Sequence, residues 1–150
     1  MKRTFWAFFP LLFLLLPAAS YGQSAADIER LLDTQAITYE DAAWFTLASA
    51  QDSMPDPDAA FALAQKQGWI PAAAHSSEAI TWSRLSLLVM QAFDLSGGMM
   101  YRLTGSARYA FRELRDRGFI EGRAYPNLVV SGEQFLHILD YVTAELGGTW

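Results

Sequence analysis

The chain of 150 residues has no cysteine, only two histidines, and fewer basic than acidic residues, 11 against 16. Without cysteine there is no disulfide, so an exported fold must hold together by packing alone. A thiolate metal site is excluded as well, and no cysteine stands beside an export signal to take a lipid. A formal net charge of −5 argues against nucleic acid as a general partner. Long apolar runs are also scarce. The one that exists, Phe5 to Leu16, is broken by Pro10 and followed by Pro17. It is shorter than the roughly 20 residues a spanning helix needs.

That run follows Met1, Lys2 and Arg3 and precedes Pro17-Ala18-Ala19-Ser20-Tyr21-Gly22. A charged start, an apolar middle and small residues before a cut make a secretory signal peptide. Residues 1–22 are therefore expected to be removed between Gly22 and Gln23, with a cut after Ser20 as the alternative. The expected product is exported, to the periplasm or cell envelope, with no stable membrane span after cleavage.

Beyond the signal, the chain repeats itself. Under a shift of fifty residues, Ala60-Phe61 meets Ala110-Phe111, and Gly68-Trp69-Ile70 meets Gly118-Phe119-Ile120. Ile80-Thr81 meets Val130-Ser131, Leu85 meets Phe135, and Leu88 meets Ile138. Self-similarity at a fixed period marks a repeat architecture. Each unit reads as helix, turn, loop, helix. Asp56-Pro57-Asp58 starts one first helix, with an N-cap acceptor and a proline where no amide donor is needed; Ser106 starts the other. Gly68 and Gly118 stop them, since glycine enters the left-handed cap conformation at little cost. The second helices follow a hydroxyl, Thr81 before Trp82–Phe93 and Ser131 before Gly132–Leu146. Ser131 and Gln134 fit a capping box. Apolar residues at Leu85, Leu88, Val89 and Ala92, and at Phe135, Ile138, Leu139 and Val142, mark one helix face.

An earlier copy of the second helix begins at Ile37-Thr38-Tyr39, forty-three residues before Ile80-Thr81-Trp82. Thr38 and Asp41 cap it, it runs to about Ala50, and its partner is the short stretch Ala26–Asp33. The expectation is an all-α domain over residues 26–146, with about two and a half helix-loop-helix units and six helices. Leu128–Val130 is too short to count as a strand.

A helix ending in glycine-aromatic-isoleucine, a loop, then a hydroxyl-led helix resembles the S-layer homology repeat. That family carries a Thr-Arg-Ala-Glu-like signature at the start of its second helix. The matching positions are Thr38-Tyr39-Glu40-Asp41, Thr81-Trp82-Ser83-Arg84 and Ser131-Gly132-Glu133-Gln134. The resemblance implies helical repeats around a pseudo-symmetric centre and noncovalent attachment to cell-wall polymers, often acidic glycans. In the family the signature arginine helps hold the anionic group. Here that position is Tyr39, Trp82 or Gly132, so any anion contact has to come from elsewhere.

One place offers it. Arg102, Arg108, Arg112, Arg115, Arg117 and Arg123 crowd one stretch of an otherwise acidic chain. Arg108, Arg112 and Arg115 stand at i, i+4 and i+7, on one helix face. Their forks suit carboxylates, phosphates and sulfates. The competing reading is a solvated face paired with Glu113, Asp116 and Glu121. Among the aromatics, Trp44, Trp69, Phe111 and Phe119 read as core. Trp82, at the first position of its helix, is expected to point outward into a groove as a binding residue. The hinge Ser96-Gly97-Gly98 leads into Met99-Met100-Tyr101. Methionine's gap-filling habit favours a loop that tucks Met99 and Met100 into the core, over an exposed partner surface.

No catalytic constellation emerges. Glu133, His137 and Asp140 share a face at i, i+4 and i+7, but nothing completes a metal-ligand set. His75 lies near Ser76 and Ser77 without the strained setting a nucleophile needs. The expected function is a noncatalytic envelope binding or scaffolding module with no metal and no cofactor. Its partner is a cell-wall glycan or an envelope protein. The alternative is a periplasmic accessory subunit that docks on an outer-membrane or secretion complex.

Overall fold

The computed structural model describes residues 25–51 and 55–147; the expected signal peptide lies outside them. The described residues form α1 (Ala25–Leu32), α2 (Tyr39–Gln51), α3 (Pro57–Lys66), α4 (Trp82–Ala92), α5 (Met99–Thr104), α6 (Ala107–Asp116) and α7 (Gly132–Gly147). The fold is all-α, as the capping pattern implies. The only β pairing among the described residues is two isolated bridges, Thr38 with Ala79 and Thr81 with Val129. No described helix is long and apolar enough to cross a membrane.

Local chemistry explains the helix ends. Asp56 caps α3 by accepting from the Ala59 amide, with Pro57 at the first helical position; Ser106 caps α6 by accepting from the Arg108 amide. Thr38 accepts from the Asp41 amide at 3.1 Å and donates its hydroxyl to Asp41 Oδ2 at 2.9 Å. The capping box at α7 is present: Ser131 N–H donates to Gln134 Oε1, and Gln134 N–H donates to Ser131 Oγ, at 3.1 and 3.3 Å. Gly68 and Gly118 have φ of +75° and +81°. Their amides donate to Gln65 and Arg115 carbonyls, and the next amides, of Trp69 and Phe119, reach back to Ala64 and Leu114. The two caps are the same structure built twice.

Three second helices, α2, α4 and α7, meet around a ring of backbone hydrogen bonds. Ile37 N–H donates to Val130 O at 2.9 Å, Val130 N–H to Ile80 O at 3.3 Å, and Ile80 N–H to Ile37 O at 3.0 Å, closing the cycle. All three residues are fully buried. The same cycle supplies partners for the unbonded first amides of each helix. Tyr39 and Glu40 amides donate to Glu78 and Ser76 carbonyls in the second unit's loop. Trp82 and Ser83 amides donate to Leu128 and Pro126 carbonyls in the third unit's loop, and the Gly132 amide donates to Thr34 O behind α1. Thr81, unlike Thr38, makes no side-chain cap hydrogen bond. The truncated first unit still supplies its third of the ring.

The core runs outward from α4. Residues Leu85 to Met90 are buried in succession, so the middle of α4 is enclosed on all sides where a single apolar face was expected. It packs on α6 and α2, while α2 also meets α3 and α7, and α1 lies on α7. Its one inward hydroxyl, Ser86 Oγ, is satisfied by Trp82 O at 2.7 Å. Phe45 and Phe135 meet edge to face at 6.4 Å, joining α2 to α7.

Candidate functional site

α6 carries the arginine face. Inward, Ala110, Phe111 and Leu114 are buried, and the Arg117 guanidinium donates to Ser96 O. Outward, Arg108, Arg112 and Arg115 are all exposed. With Phe111, Asp116 and Pro126 they line an open cleft of about 380 Å³. Pro126 belongs to the loop whose carbonyls hold the α4 N-terminus, so the far wall of the cleft is fixed by the ring. The pairing with Glu113, Asp116 and Glu121 that the competing reading supposed is not made among the described residues. The only ion pair among the described residues is Arg30 with Asp41, at 2.9 Å. Arg112 instead stands over the Tyr109 ring, 5.9 Å from its centroid. An arginine with no carboxylate partner keeps its donors free for an anion.

Trp82 is not part of this surface. It is 4% exposed and belongs to the core cluster, which corrects the outward placement read from its position. The third unit's loop lies against the start of α4, its carbonyls accepting from the Trp82 and Ser83 amides, so the Trp82 side chain is covered at an inter-unit seam. Tyr39, its counterpart on α2, is buried too, and burial pushes its phenol above the ordinary range. At the third counterpart, Gly132, a Cβ would stand 1.7 Å from Leu31 O. Packing explains the residues at all three positions: two aromatics fill seams, and a glycine admits α1. Phe111 and Phe119 are buried as expected, and Trp44 and Trp69 pack partly buried against the core, with Trp44 Nε1 donating to Pro55 O at 2.8 Å.

The linker between the second and third units is a helix, the seventh, where a loop was expected. Met99 and Met100 do not enter the core: they are 75% and 49% exposed, and Leu103 is 73% exposed. The core takes Tyr101 instead. Its hydroxyl accepts from Gln91 Nε2 at 2.6 Å, and burial raises its pKa against the opposing pull of that bond. The signal for this helix was in the sequence, as Gly97-Gly98 and Gly105 bracket it with residues free to leave the helical path.

The acidic and imidazole groups assemble nothing comparable. Among the described residues no group of three or more His, Cys, Asp or Glu side chains is placed to hold a metal ion. His137 is exposed and lies edge-on to Tyr141 at 4.6 Å. His75 is exposed in its loop, its amide donating to Glu78. Compared with known proteins, the chain matches no family model, no curated protein and no solved structure.

Proposed function

We propose that this protein is a noncatalytic cell-envelope binding module that holds an acidic cell-wall polymer in the arginine cleft of α6. The observation that carries the reading is the cleft itself. Arg108, Arg112 and Arg115 are exposed around it with no carboxylate partner among the described residues, in a chain of net charge −5. Attraction to an anion must therefore be local. A glycan carboxylate, phosphate or sulfate suits the arginine forks, and the half-buried Pro126 gives the far wall an apolar edge. The resemblance to the S-layer homology repeat supports the same role, as does a ring that joins three units around one centre. In this reading the anion contact has moved from the signature position to the back of the third unit's first helix.

The test is a pull-down on purified peptidoglycan sacculi. Wild type is expected to bind, and binding should weaken as salt rises, since contacts made in water are screened over about 8 Å at physiological ionic strength. Arg108→Gln/Arg112→Gln/Arg115→Gln should lose binding with its helical signal unchanged. Undiminished binding by that triple variant would overturn the reading. A second reading, a periplasmic accessory subunit docking on an outer-membrane or secretion complex, is favoured by one observation: the exposed apolar side chains of α5. Retention on membrane fractions rather than sacculi would support it.

A further inference from the structure

One charged residue of the arginine cleft is not a cation. Asp116 ends α6, is exposed, and lines the cleft with Arg108, Arg112 and Arg115. Neither packing nor helix electrostatics calls for it. A carboxylate in the last turn opposes the helix dipole, whereas a cation suits it, and α3 ends on Lys66 at the equivalent position. Asp116 stands four residues beyond Arg112, a spacing at which opposite charges meet on a helix. Yet the only ion pair among the described residues is Arg30 with Asp41. The Asp116 oxygens are therefore open to a donor that arrives with the ligand.

The two residue types are complementary. Guanidinium groups only donate, and an ionised carboxylate only accepts. The rest of the lining adds little: Pro126 has no amide donor, and Phe111 is buried. A ligand made of acceptors alone meets the arginines and is repelled by Asp116. A ligand that satisfies all four side chains carries donors beside its anion. An acidic sugar does so. Its carboxylate, phosphate or sulfate accepts from arginine while a neighbouring hydroxyl donates to Asp116, and both bonds are charge-assisted. We infer that Asp116 makes the cleft selective for an acidic glycan whose sugars keep free hydroxyls beside the anion, and against bare polyanions. The inference rests on the polymer reading and adds the ligand class to it. Scale agrees, since an open cleft of about 380 Å³ lies in the range that small ligands fill.

The experiment titrates the full chain with an oligogalacturonate, the same oligomer with its hydroxyls acetylated, and polyphosphate. The two glycans carry equal carboxylates, and only the first has donors beside them. Wild type is expected to bind it about tenfold more tightly than the acetylated form, from one hydrogen bond to a charged group. Asp116→Ala should lose that preference. It should also bind polyphosphate about threefold more tightly, because one negative charge has left the cleft. Asp116→Asn keeps an acceptor oxygen, so it should retain part of the glycan preference while showing the same gain for polyphosphate. Asp116 is exposed, and a thermal melt checks that each variant remains folded. Arg108→Gln/Arg112→Gln/Arg115→Gln should lose all three probes. A glycan preference that survives intact in Asp116→Ala would overturn the inference, since acetyl bulk would then explain it. Equal wild-type affinity for the two glycans, or wild-type binding of polyphosphate without glycan, would overturn it as well. These results leave the polymer reading standing as long as the arginine variant loses what wild type binds. Binding that persists undiminished in the arginine variant would overturn that reading, and the inference with it.

Discussion

α3 and α6 are two copies of one element with different surfaces. Their inner faces match: Ala60 and Ala110, then Ala64 and Leu114, are buried at equivalent positions. Their ends match too, down to left-handed glycines at Gly68 and Gly118. Outside, they part. Where α6 carries Arg108, Arg112 and Arg115, α3 carries Asp58, Ala62 and Gln65. Gln65 turns back on its own loop, its Nε2 donating to Pro71 O at 3.1 Å and Ala74 O at 3.0 Å. Arg115 remains on the wall of an open cleft. The shared frame is explained by packing and capping alone. Gln65 thus serves its own loop, whereas no arginine of the α6 face ties a loop in this way among the described residues, so that face is where function is to be sought.

The comparison between units can be broken most severely at the start of the second helices. Gly132→Trp would copy the second unit's residue into the third, where Leu31 O leaves no room even for a Cβ. We expect a loss of about 4–5 kcal/mol or failure to fold, read from the urea midpoint. A wild-type midpoint would mean that α1 is not seated on α7. The reverse change in size, Trp82→Ala, should cost about 3–5 kcal/mol, because a buried indole leaves a cavity. A near-neutral result by the same measurement would return Trp82 to the surface.

Smaller effects sharpen the equivalence of the caps. Gly68→Val and Gly118→Val should each cost about 1–2 kcal/mol, since only glycine enters positive φ freely. No atom stands within 4 Å of a Cβ at either site, so conformation is the whole cost and the two melts should shift alike. One severe and one neutral result would separate the copies. Smallest is the contrast between hydroxyls. Ser131→Ala should lose about 1 kcal/mol with its capping box. Thr81→Ala should stay within about 0.5 kcal/mol, because its hydroxyl makes no cap bond to α4. Equal losses in chemical denaturation would show that Thr81 caps in its own right.

Local signals made most of this legible. A hydroxyl or aspartate before a helix, a glycine after some of them and apolar spacing act within a few residues, and they located α2, α3, α4, α6 and α7, while α1 was expected as the short partner stretch Ala26–Asp33. What could not be read was set by distant partners. The ring through Ile37, Ile80 and Val130 joins three units by backbone bonds, and backbone bonds leave no trace in side-chain identity. Trp82 looked exposed because its position within the helix says nothing of the loop that covers it from another unit. Met99 and Met100 looked buried because methionine usually is; Tyr101 took that place through its hydrogen bond to Gln91. The arginine face of α6 was visible as spacing, whereas its far wall, Pro126, comes from a loop outside that helix.

The central claim is that the α6 copy binds anions and the α3 copy does not. It is tested most directly by measuring sacculus binding of wild type, the Arg108→Gln/Arg112→Gln/Arg115→Gln variant, and Asp58→Asn/Gln65→Ala at the matching α3 positions. The account predicts that binding disappears in the first variant with its melt unchanged, and persists in the second at wild-type strength and salt dependence. Undiminished binding by the arginine variant would contradict it.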